Sequence, residues 1–504
     1  MERKGIKLCL LLILSFFVEP GFSQKLLHLS YGDHEVGFQS SLNVDYSRPA
    51  RAKNQFGRAV QINVWYPAKI SKEPIMDFKQ YLYLQGEEDS ITRKAQNNSA
   101  VLNSFFAERG AEGADTSSWK NFLNHIAPMK ARRNAPLQKG NFPVVHLIHS
   151  PAMNYCLLGE LLASYGMIVI NVPYKGYLQN TFDVNVQGME TEIRDQEYAF
   201  GVVVKKLEIT PTAAGLVGLS FGGQSAVGMA VRNSLIKGVV SLDGGIGSTF
   251  GPQLLSGHPS YHPEKVRMPI IHLYNPEDPG GNVNWFDEVE FNDRYLVAFK
   301  NMDHSFFGIY GSLDNEINHV LGKDKPKTGN NAEAILLYTL TFFRELFTTG
   351  LVDASVLTDL DKKNSWLTSS IQSIVYKKTK FNPLPLDYLQ GILNANGIEA
   401  LLAEHEKQKV RTTMPIAEGS YRSLFLEVFG KQDKLSTLKI SVLYEGDFPQ
   451  SALAKYYRGR ALMLNNQDAK AAFSQCLSLL AGDSFLSQTE KETIKSRAQG
   501  FITN

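Results

Sequence analysis

Short apolar runs alternate with helical segments between residues 142 and 299 of the chain. The runs expected to form strands are residues 143–148, 167–172, 214–218, 238–242, 270–274 and 295–299. Residues 157–165 and 190–207 separate some of these runs and have the composition of helices. Because strands that are buried on both faces are continuously apolar, the alternation predicts an α/β fold, with a mostly parallel sheet covered by helices.

The segment before this region has a different pattern. Residues 28–68 predict strands, and residues 60–66 alternate apolar and polar side chains before Pro67 ends the run. Residues 75–141 are helical and polar, which indicates an insertion into the fold. The predicted α/β domain therefore spans residues 24–349, with a helical insertion at about residues 75–141.

After about residue 350 no further strand is predicted, and the chain becomes a helical domain over residues 350–504. The tripeptides at 431–433 and 466–468 lie 35 positions apart in matching helix–turn–helix contexts. Residues 452–480 follow the pattern of small and large side chains of a tetratricopeptide unit, a helix pair that repeats every ~34 residues. Such repeats present side chains on a concave face, so this region predicts a site for a protein or peptide partner.

The first 23 residues have the three parts of a secretory signal peptide. A basic start is followed by an almost unbroken apolar run over residues 8–18, and then by Gly21 and Ser23. The run is shorter than the ~20 residues that a membrane-spanning helix needs, and no later segment is apolar enough to span a bilayer. We expect residues 1–23 to be removed and the mature protein to be exported, to a periplasm or to the extracellular space.

Composition and charge exclude several classes of function. The 504 residues are 43% hydrophobic and 20% charged, as in folded globular proteins, and they carry a net charge of +2. A nucleic-acid groove needs a concentrated basic field, so no nucleic-acid partner is expected. Three cysteines are too few for a disulfide scaffold or a Cys-rich zinc site.

The clearest chemical motif is Gly-Leu-Ser-Phe-Gly-Gly at residues 218–223. It follows an apolar strand and precedes a helix, which is the context of a nucleophile elbow. The tight turn presents the serine at the sheet edge and requires small neighbours. Ser220 is therefore the predicted nucleophile, and the amide of Phe221, at the start of the helix, is a predicted oxyanion donor.

A serine nucleophile needs a base, and in this arrangement an acid and then a histidine follow the serine along the chain. His304 lies in a loop directly after the strand at residues 295–299 and is the predicted base. His272 lies inside an apolar strand and is expected in the core.

Two aspartates are candidates for the acid that orients the histidine. Asp243 ends the strand after the nucleophile, and Asp278 follows the next strand. Either position allows the carboxylate to bind the distal ring nitrogen and to stabilise the cationic imidazole. Asp303 is a weaker third candidate, because it neighbours His304 in sequence and has to turn back toward it.

Three motifs, taken in order, carry a family resemblance. Gly-Leu-Ser-Phe-Gly-Gly at 218–223, Val-Ser-Leu-Asp-Gly-Gly at 240–245 and Asn-Met-Asp-His-Ser-Phe-Phe at 301–307 resemble the secreted platelet-activating-factor acetylhydrolases and the related dienelactone-hydrolase-like esterases. The likeness covers roughly residues 28–345. It implies an α/β-hydrolase fold and ester hydrolysis through an acyl-serine, without a metal or organic cofactor. In the acetylhydrolase branch the acid follows the strand after the nucleophile, which favours Asp243 over the alternative acid.

The sequence departs from this family beside the expected oxyanion hole. Family members carry a His-Gly pair after the strand that supplies the second donor, whereas this chain has His149-Ser-Pro-Ala. Proline has no amide hydrogen, so the second donor is expected to be Ser150 or Ala152, and Ala152 is favoured. Loss of one donor typically costs about 100- to 1000-fold in rate, so the departure raises the alternative of an impaired enzyme.

Three functions follow from these residues. The leading one is a secreted serine hydrolase that cleaves a small-molecule carboxylic ester. The same three side chains would also serve a peptidase or amidase. The third is a catalytically impaired hydrolase scaffold whose helical repeats bind a protein or peptide partner.

Overall fold

The structure is a computed structural model. It describes residues 27, 29–48, 56–87, 98–125, 129–177, 183–314, 316–322, 329–379, 383–409, 412, 414–483 and 485–503. The predicted signal peptide lies outside these residues. Among the helices that the structure describes, none combines the length and the apolar character needed to cross a bilayer.

One mixed sheet of ten strands organises the described part of the chain. The strands are β1 (Glu35–Asp45), β2 (Arg58–Ala68), β3 (Ala131–Arg133), β4 (Val144–Ile148), β5 (Ile168–Val172), β6 (Ala214–Leu219), β7 (Ile236–Leu242), β8 (Ile270–Tyr274), β9 (Arg294–Phe299) and β10 (Ile371–Lys377). Their spatial order is β10-β9-β8-β7-β6-β4-β5-β2-β1-β3. The six strands β4 to β9 are parallel to one another. β2 pairs antiparallel with both β1 and β5, and β10 pairs antiparallel with β9.

Helices cover both faces of this sheet. Those before residue 380 are α1 (Phe78–Tyr83), α2 (Asn98–Ala111), α3 (Thr116–His125), α4 (Ala152–Ser164), α5 (Val186–Leu207), α6 (Gly222–Ala230), α7 (Gly251–Ser256), α8 (Trp285–Glu288), α9 (Ile309–Leu313), α10 (Asn331–Thr349), α11 (Ala354–Thr358) and α12 (Leu360–Lys363). Successive side chains of a strand point to opposite faces, so Val145 of β4 belongs to the core that α4 and α10 share, while Val144 belongs to the core that α5 and α6 share. The predicted α/β fold, a mostly parallel sheet covered by helices, is therefore confirmed.

The sequence prediction misses two edge strands. β3 lies within the predicted helical insertion and pairs parallel with β1. β10 lies after residue 350, where no strand is predicted, and extends the sheet beyond β9. β3 has only three residues, too few to show alternation, and most side chains of β10 are partly or fully exposed. Neither strand therefore has the apolar pattern that marks the central strands.

The C-terminal region is helical, as predicted. Its helices are α13 (Leu386–Lys409), α14 (Glu418–Gly430), α15 (Lys434–Asp447), α16 (Ala452–Leu464), α17 (Lys470–Leu479) and α18 (Gln488–Thr503). From α14 onward each helix packs on the next. Three residues with left-handed backbone, Gly397, Gln432 and Asn466, are spaced 35 and then 34 residues apart. The turns thus recur at the predicted interval, and the assignment to tetratricopeptide repeats stays a prediction.

Candidate active site

The predicted catalytic side chains meet at one edge of the sheet. Ser220 follows β6, Asp243 follows β7 and His304 follows β9, and the carboxyl ends of parallel strands share one edge. All three residues line one cavity of about 200 Å3, together with Phe221 and Asp278. Residues that are distant in sequence are therefore gathered around a single small cavity.

Ser220 lies on a turn that only small neighbours permit. Its φ is +55°, in the left-handed region that non-glycine residues rarely adopt. A Cβ atom on Gly218 would lie 2.1 Å from the carbonyl oxygen of Gly222. A Cβ atom on Gly222 would lie 2.7 Å from the Cβ atom of His149. Gly218 and Gly222 are thus required by the close approach of neighbouring atoms, as expected for a nucleophile elbow.

Backbone hydrogen bonds connect this elbow to the loop that carries Asp243. The N–H of Ser220 donates to the carbonyl of Leu242 at 3.2 Å. The carbonyl of Ser220 accepts from the N–H of Gly223 at 3.0 Å and from that of Gly245 at 2.8 Å. The nucleophile and the loop after β7 therefore form one hydrogen-bonded unit.

His304 is oriented by Asp243. Nδ1 of the imidazole lies 2.7 Å from Oδ2 of the carboxylate, whose Oδ1 accepts the N–H of Asn275 at 2.9 Å. The side chain of Asp243 is only 7% exposed, whereas that of His304 is 47% exposed. An ionised carboxylate can only accept, so Nδ1 carries the proton and Nε2 is left as the acceptor. The hydrogen bond to Asp243 also raises the pKa of His304 above its ordinary value.

The other two candidate acids have different partners. Asp278 lines the cavity, but its Oδ1 accepts the N–H of Gly280 at 2.8 Å within its own turn. Asp303 accepts the N–H of Ser305 at 3.1 Å and caps the short 3-10 helix that His304 begins. Among the three aspartates, only Asp243 is hydrogen-bonded to the imidazole.

Within the described residues, no hydrogen bond joins the hydroxyl of Ser220 to His304, although both side chains line the same cavity. In substrate-free enzymes the bond between nucleophile and base is often long and shortens when substrate binds. The position of the two groups around one cavity is therefore compatible with proton transfer between them.

The two predicted oxyanion donors lie at the start of two helices. Phe221 immediately precedes α6 and lines the cavity. Ala152 is the first residue of α4, follows Pro151 and does not line that cavity. In the described part of the chain neither backbone N–H has an acceptor. Both amides are thus available as donors, and of the two residues only Phe221 lines the cavity.

A buried polar cluster beside the elbow is missed by the sequence prediction. Glu192 of α5 accepts a 3.1 Å hydrogen bond from Nδ1 of His149 and a 2.5 Å bond from the hydroxyl of Ser225. The ring of His149 lies 5.3 Å from that of Phe221, and its φ is +76°. The sequence signals for His149 are its place directly after a predicted strand and the family's His-Gly pair at that point. Nothing local links that position to α5.

His272 is buried, as expected for a core residue. It lies against the loop after β7 that carries Asp243, since a Cβ atom on Gly247 of that loop would lie 2.1 Å from Nε2 of His272. Its Nδ1 lies 3.0 Å from the hydroxyl of Ser241, and its ring stacks on Tyr274 at 5.0 Å. Burial lowers its pKa to about 4, so the ring is neutral at physiological pH and supports the loop of Asp243 without carrying charge.

Metal-binding side chains are not clustered in the part of the chain that the structure describes. No group of three or more His, Cys, Asp or Glu residues there is arranged to hold a metal ion. The cavity around Ser220 contains one imidazole and two carboxylates, of which one is already bound to the imidazole.

Comparisons with known proteins give distant structural likenesses and no match in sequence. No protein-family model matches the chain, and no curated protein matches its sequence. Among solved structures it is similar to a ferulic acid esterase from Streptomyces cinnamoneus, at 17% identity and a TM-score of 0.48. The alignment covers 70% of this chain and 99% of that one. A likeness this distant does not bear on activity.

Proposed function

We propose that the chain is a serine hydrolase that cleaves carboxylic esters through an acyl-serine intermediate. The observation that carries the proposal is the 2.7 Å hydrogen bond between Asp243 and His304, on the cavity that Ser220 lines at a nucleophile elbow. A nucleophile, a base and an acid in these relative positions form the arrangement that activates a serine hydroxyl.

The reaction follows from the positions of these groups. Nε2 of His304 accepts the proton of the Ser220 hydroxyl while the oxygen attacks the ester carbonyl. The N–H of Phe221 stabilises the developing oxyanion, with Ala152 as the candidate second donor. His304 then protonates the leaving alcohol. It later takes a proton from the water that attacks the acyl-serine, and it returns this proton to the Ser220 oxygen as the carboxylic acid is released. Asp243 stabilises the imidazolium in both steps, so side chains and backbone amides of this chain supply every group in the scheme.

The size of the cavity favours a small acyl group. Its volume of about 200 Å3 lies below the range of about 300–1,000 Å3 that is typical of pockets for drug-sized ligands. Phe221, Phe250 and Tyr274 give it apolar and aromatic walls. A short-chain ester is therefore the proposed substrate, by analogy with the acetylhydrolase resemblance of the three sequence motifs.

A panel of acyl esters and matched anilides tests this function. Hydrolysis should be fastest for short acyl groups of about two to four carbons, because the cavity is smaller than those that hold drug-sized ligands. It should be slower for longer chains and slower still for the anilides. Ser220→Ala should abolish it. A higher kcat/KM for the anilides would instead identify an amidase or peptidase.

Export and a partner at the helical region are further parts of the proposal. The basic and apolar pattern of residues 1–23 supports secretion, and detection of a processed N-terminus in a cell fraction outside the cytoplasm would test it. The recurrence of left-handed turns at Gly397, Gln432 and Asn466 supports helical repeats. We propose that these repeats hold a protein or peptide.

A further inference from the structure

The cavity around Ser220 has an uneven charge distribution. Its ionisable lining consists of Asp243, Asp278, His304 and Tyr274, and no Lys or Arg is among the described residues that line it. Burial raises the pKa of Tyr274, so this phenol is neutral. With a neutral imidazole, as the base requires, the cavity therefore contains two negative charges and no positive charge.

The two carboxylates differ in what neutralises them. Asp243 is bonded to His304 and to the N–H of Asn275. Asp278 accepts only the N–H of Gly280 among the described groups, and no Lys, Arg or His lies within ion-pair distance of it. Its charge therefore faces the cavity without a balancing cation.

The turn around Asp278 holds this charge in place. The N–H of Asp278 donates to the carbonyl of Asn275 at 3.4 Å, and the carbonyl of Asp278 accepts from Gly281 at 2.9 Å. Asp278 and His304 line the same cavity, and electrostatic attraction from Asp278 contributes to the raised pKa of His304. A charge on the substrate close to that base would be affected in the same way.

We propose that Asp278 is a specificity-determining residue that rejects negatively charged esters and favours neutral or cationic ones. The inference rests on the proposed ester hydrolysis, and it assigns to Asp278 a role in substrate selection in place of the role of triad acid. Repulsion between like charges in a small cavity discriminates against the anionic substrate. It does so without any contact that improves binding of the preferred substrate.

Three esters of one alcohol test this selectivity. Their acyl groups match in length and end in a methyl group, a carboxylate or a trimethylammonium group. For the wild-type protein we expect kcat/KM for the neutral ester to exceed that for the anionic ester at least about tenfold. The cationic ester should be at least as good a substrate as the neutral one.

Substitutions at Asp278 should change the ratio of these rates. Asp278→Asn keeps the shape of the side chain and removes its charge, so the ratio of kcat/KM for the neutral ester to that for the anionic ester should fall about tenfold. Asp278→Lys places a positive charge there and should invert the preference between anionic and cationic esters. Glu277→Gln is the matched control, because Glu277 is the exposed neighbouring carboxylate and does not line the cavity. It should leave the ratio unchanged.

The outcomes separate this inference from the proposed function. If Ser220-dependent hydrolysis occurs but Asp278→Asn and wild type have the same ratio within twofold, the selectivity role is wrong and the esterase stands. If Asp278→Asn loses more than about 1,000-fold on all three esters, Asp278 is the triad acid and the inference is overturned. Absence of Ser220-dependent hydrolysis of any ester overturns both. Salt screens the charge of Asp278, so the neutral-to-anionic ratio of kcat/KM for the wild-type protein should also fall as the salt concentration is raised. This test needs no variant.

Discussion

Asp243 and His304 lie 61 residues apart in the sequence, and a 2.7 Å hydrogen bond joins their side chains. The loop that carries Asp243 is itself bonded to the elbow, because the carbonyl of Ser220 accepts the N–H of Gly245. The orientation of the base and the position of the nucleophile thus depend on one loop. Substitutions in this loop and at the elbow give the most direct predictions.

Asp243→Asn should lower kcat by about 1,000- to 10,000-fold on a neutral ester, because an amide at this position no longer fixes the tautomer or stabilises the imidazolium. KM should change little. Asp278→Asn should retain at least about a tenth of the wild-type kcat on the same ester. Steady-state kinetics on the two purified variants measure both values, and the reverse order of losses would assign the triad acid to Asp278.

Activity should be lost as the pH falls through the pKa of His304. Asp243 stabilises the cationic ring and raises this pKa above the ordinary value of 6.5, while the reaction needs the neutral ring. The profile of kcat/KM should therefore rise with pH and level off only above that raised pKa. NMR titration of the ring protons should show the pKa of His304 moving down in Asp243→Asn. An unchanged pKa would mean that the hydrogen bond is not formed in solution.

Gly218→Ala should inactivate the protein and reduce its free energy of unfolding by at least about 2 kcal/mol, because the new methyl group would lie 2.1 Å from the carbonyl oxygen of Gly222. Gly201→Ala is the control. Gly201 lies in α5 with nothing within 4 Å of an added Cβ, so alanine there should add about 0.5–1 kcal/mol to the free energy of unfolding. Denaturant unfolding and ester hydrolysis on both variants check the pair, and equal behaviour would contradict a strained elbow.

Glu192→Ala should destabilise the protein by about 3 kcal/mol, since it leaves buried His149 and Ser225 without their shared acceptor. Hydrolysis should also slow, because His149 packs against Phe221, whose amide is the proposed oxyanion donor. Lys206→Ala, on the exposed side of the same helix, should change stability by less than about 0.5 kcal/mol. Thermal unfolding measures the stability of both variants. Equal melting temperatures would show that the cluster of Glu192, His149 and Ser225 does not stabilise the protein.

The parts of the site that were predictable are those set by local sequence. The elbow needs a strand, two close-packed glycines and a helix, and all of them lie within residues 214–230. The placement of His304 after β9 also follows from chain order. The choice between Asp243 and Asp278 depended on a family resemblance, because both residues follow strands that end at the same edge.

What the sequence could not predict depends on distance or on weak local signal. Glu192 and His149 lie 43 residues apart, and no local pattern pairs a helical glutamate with a histidine after a strand. His149 and Asp243 adopt positive φ without being glycine, so the composition gives no indication of these turns. β10 is an edge strand with exposed side chains, and it therefore lacks the apolar run that identified β4 to β9.

Labelling with a fluorophosphonate tests the central claim most directly, because the probe reacts only with a serine that a neighbouring base has activated. We predict one covalent adduct per folded chain, located on Ser220 by mass spectrometry. The adduct should be absent from Ser220→Ala and should form much more slowly in Asp243→Asn. A folded wild-type protein that takes up no probe, or that is labelled on another serine, would contradict the account.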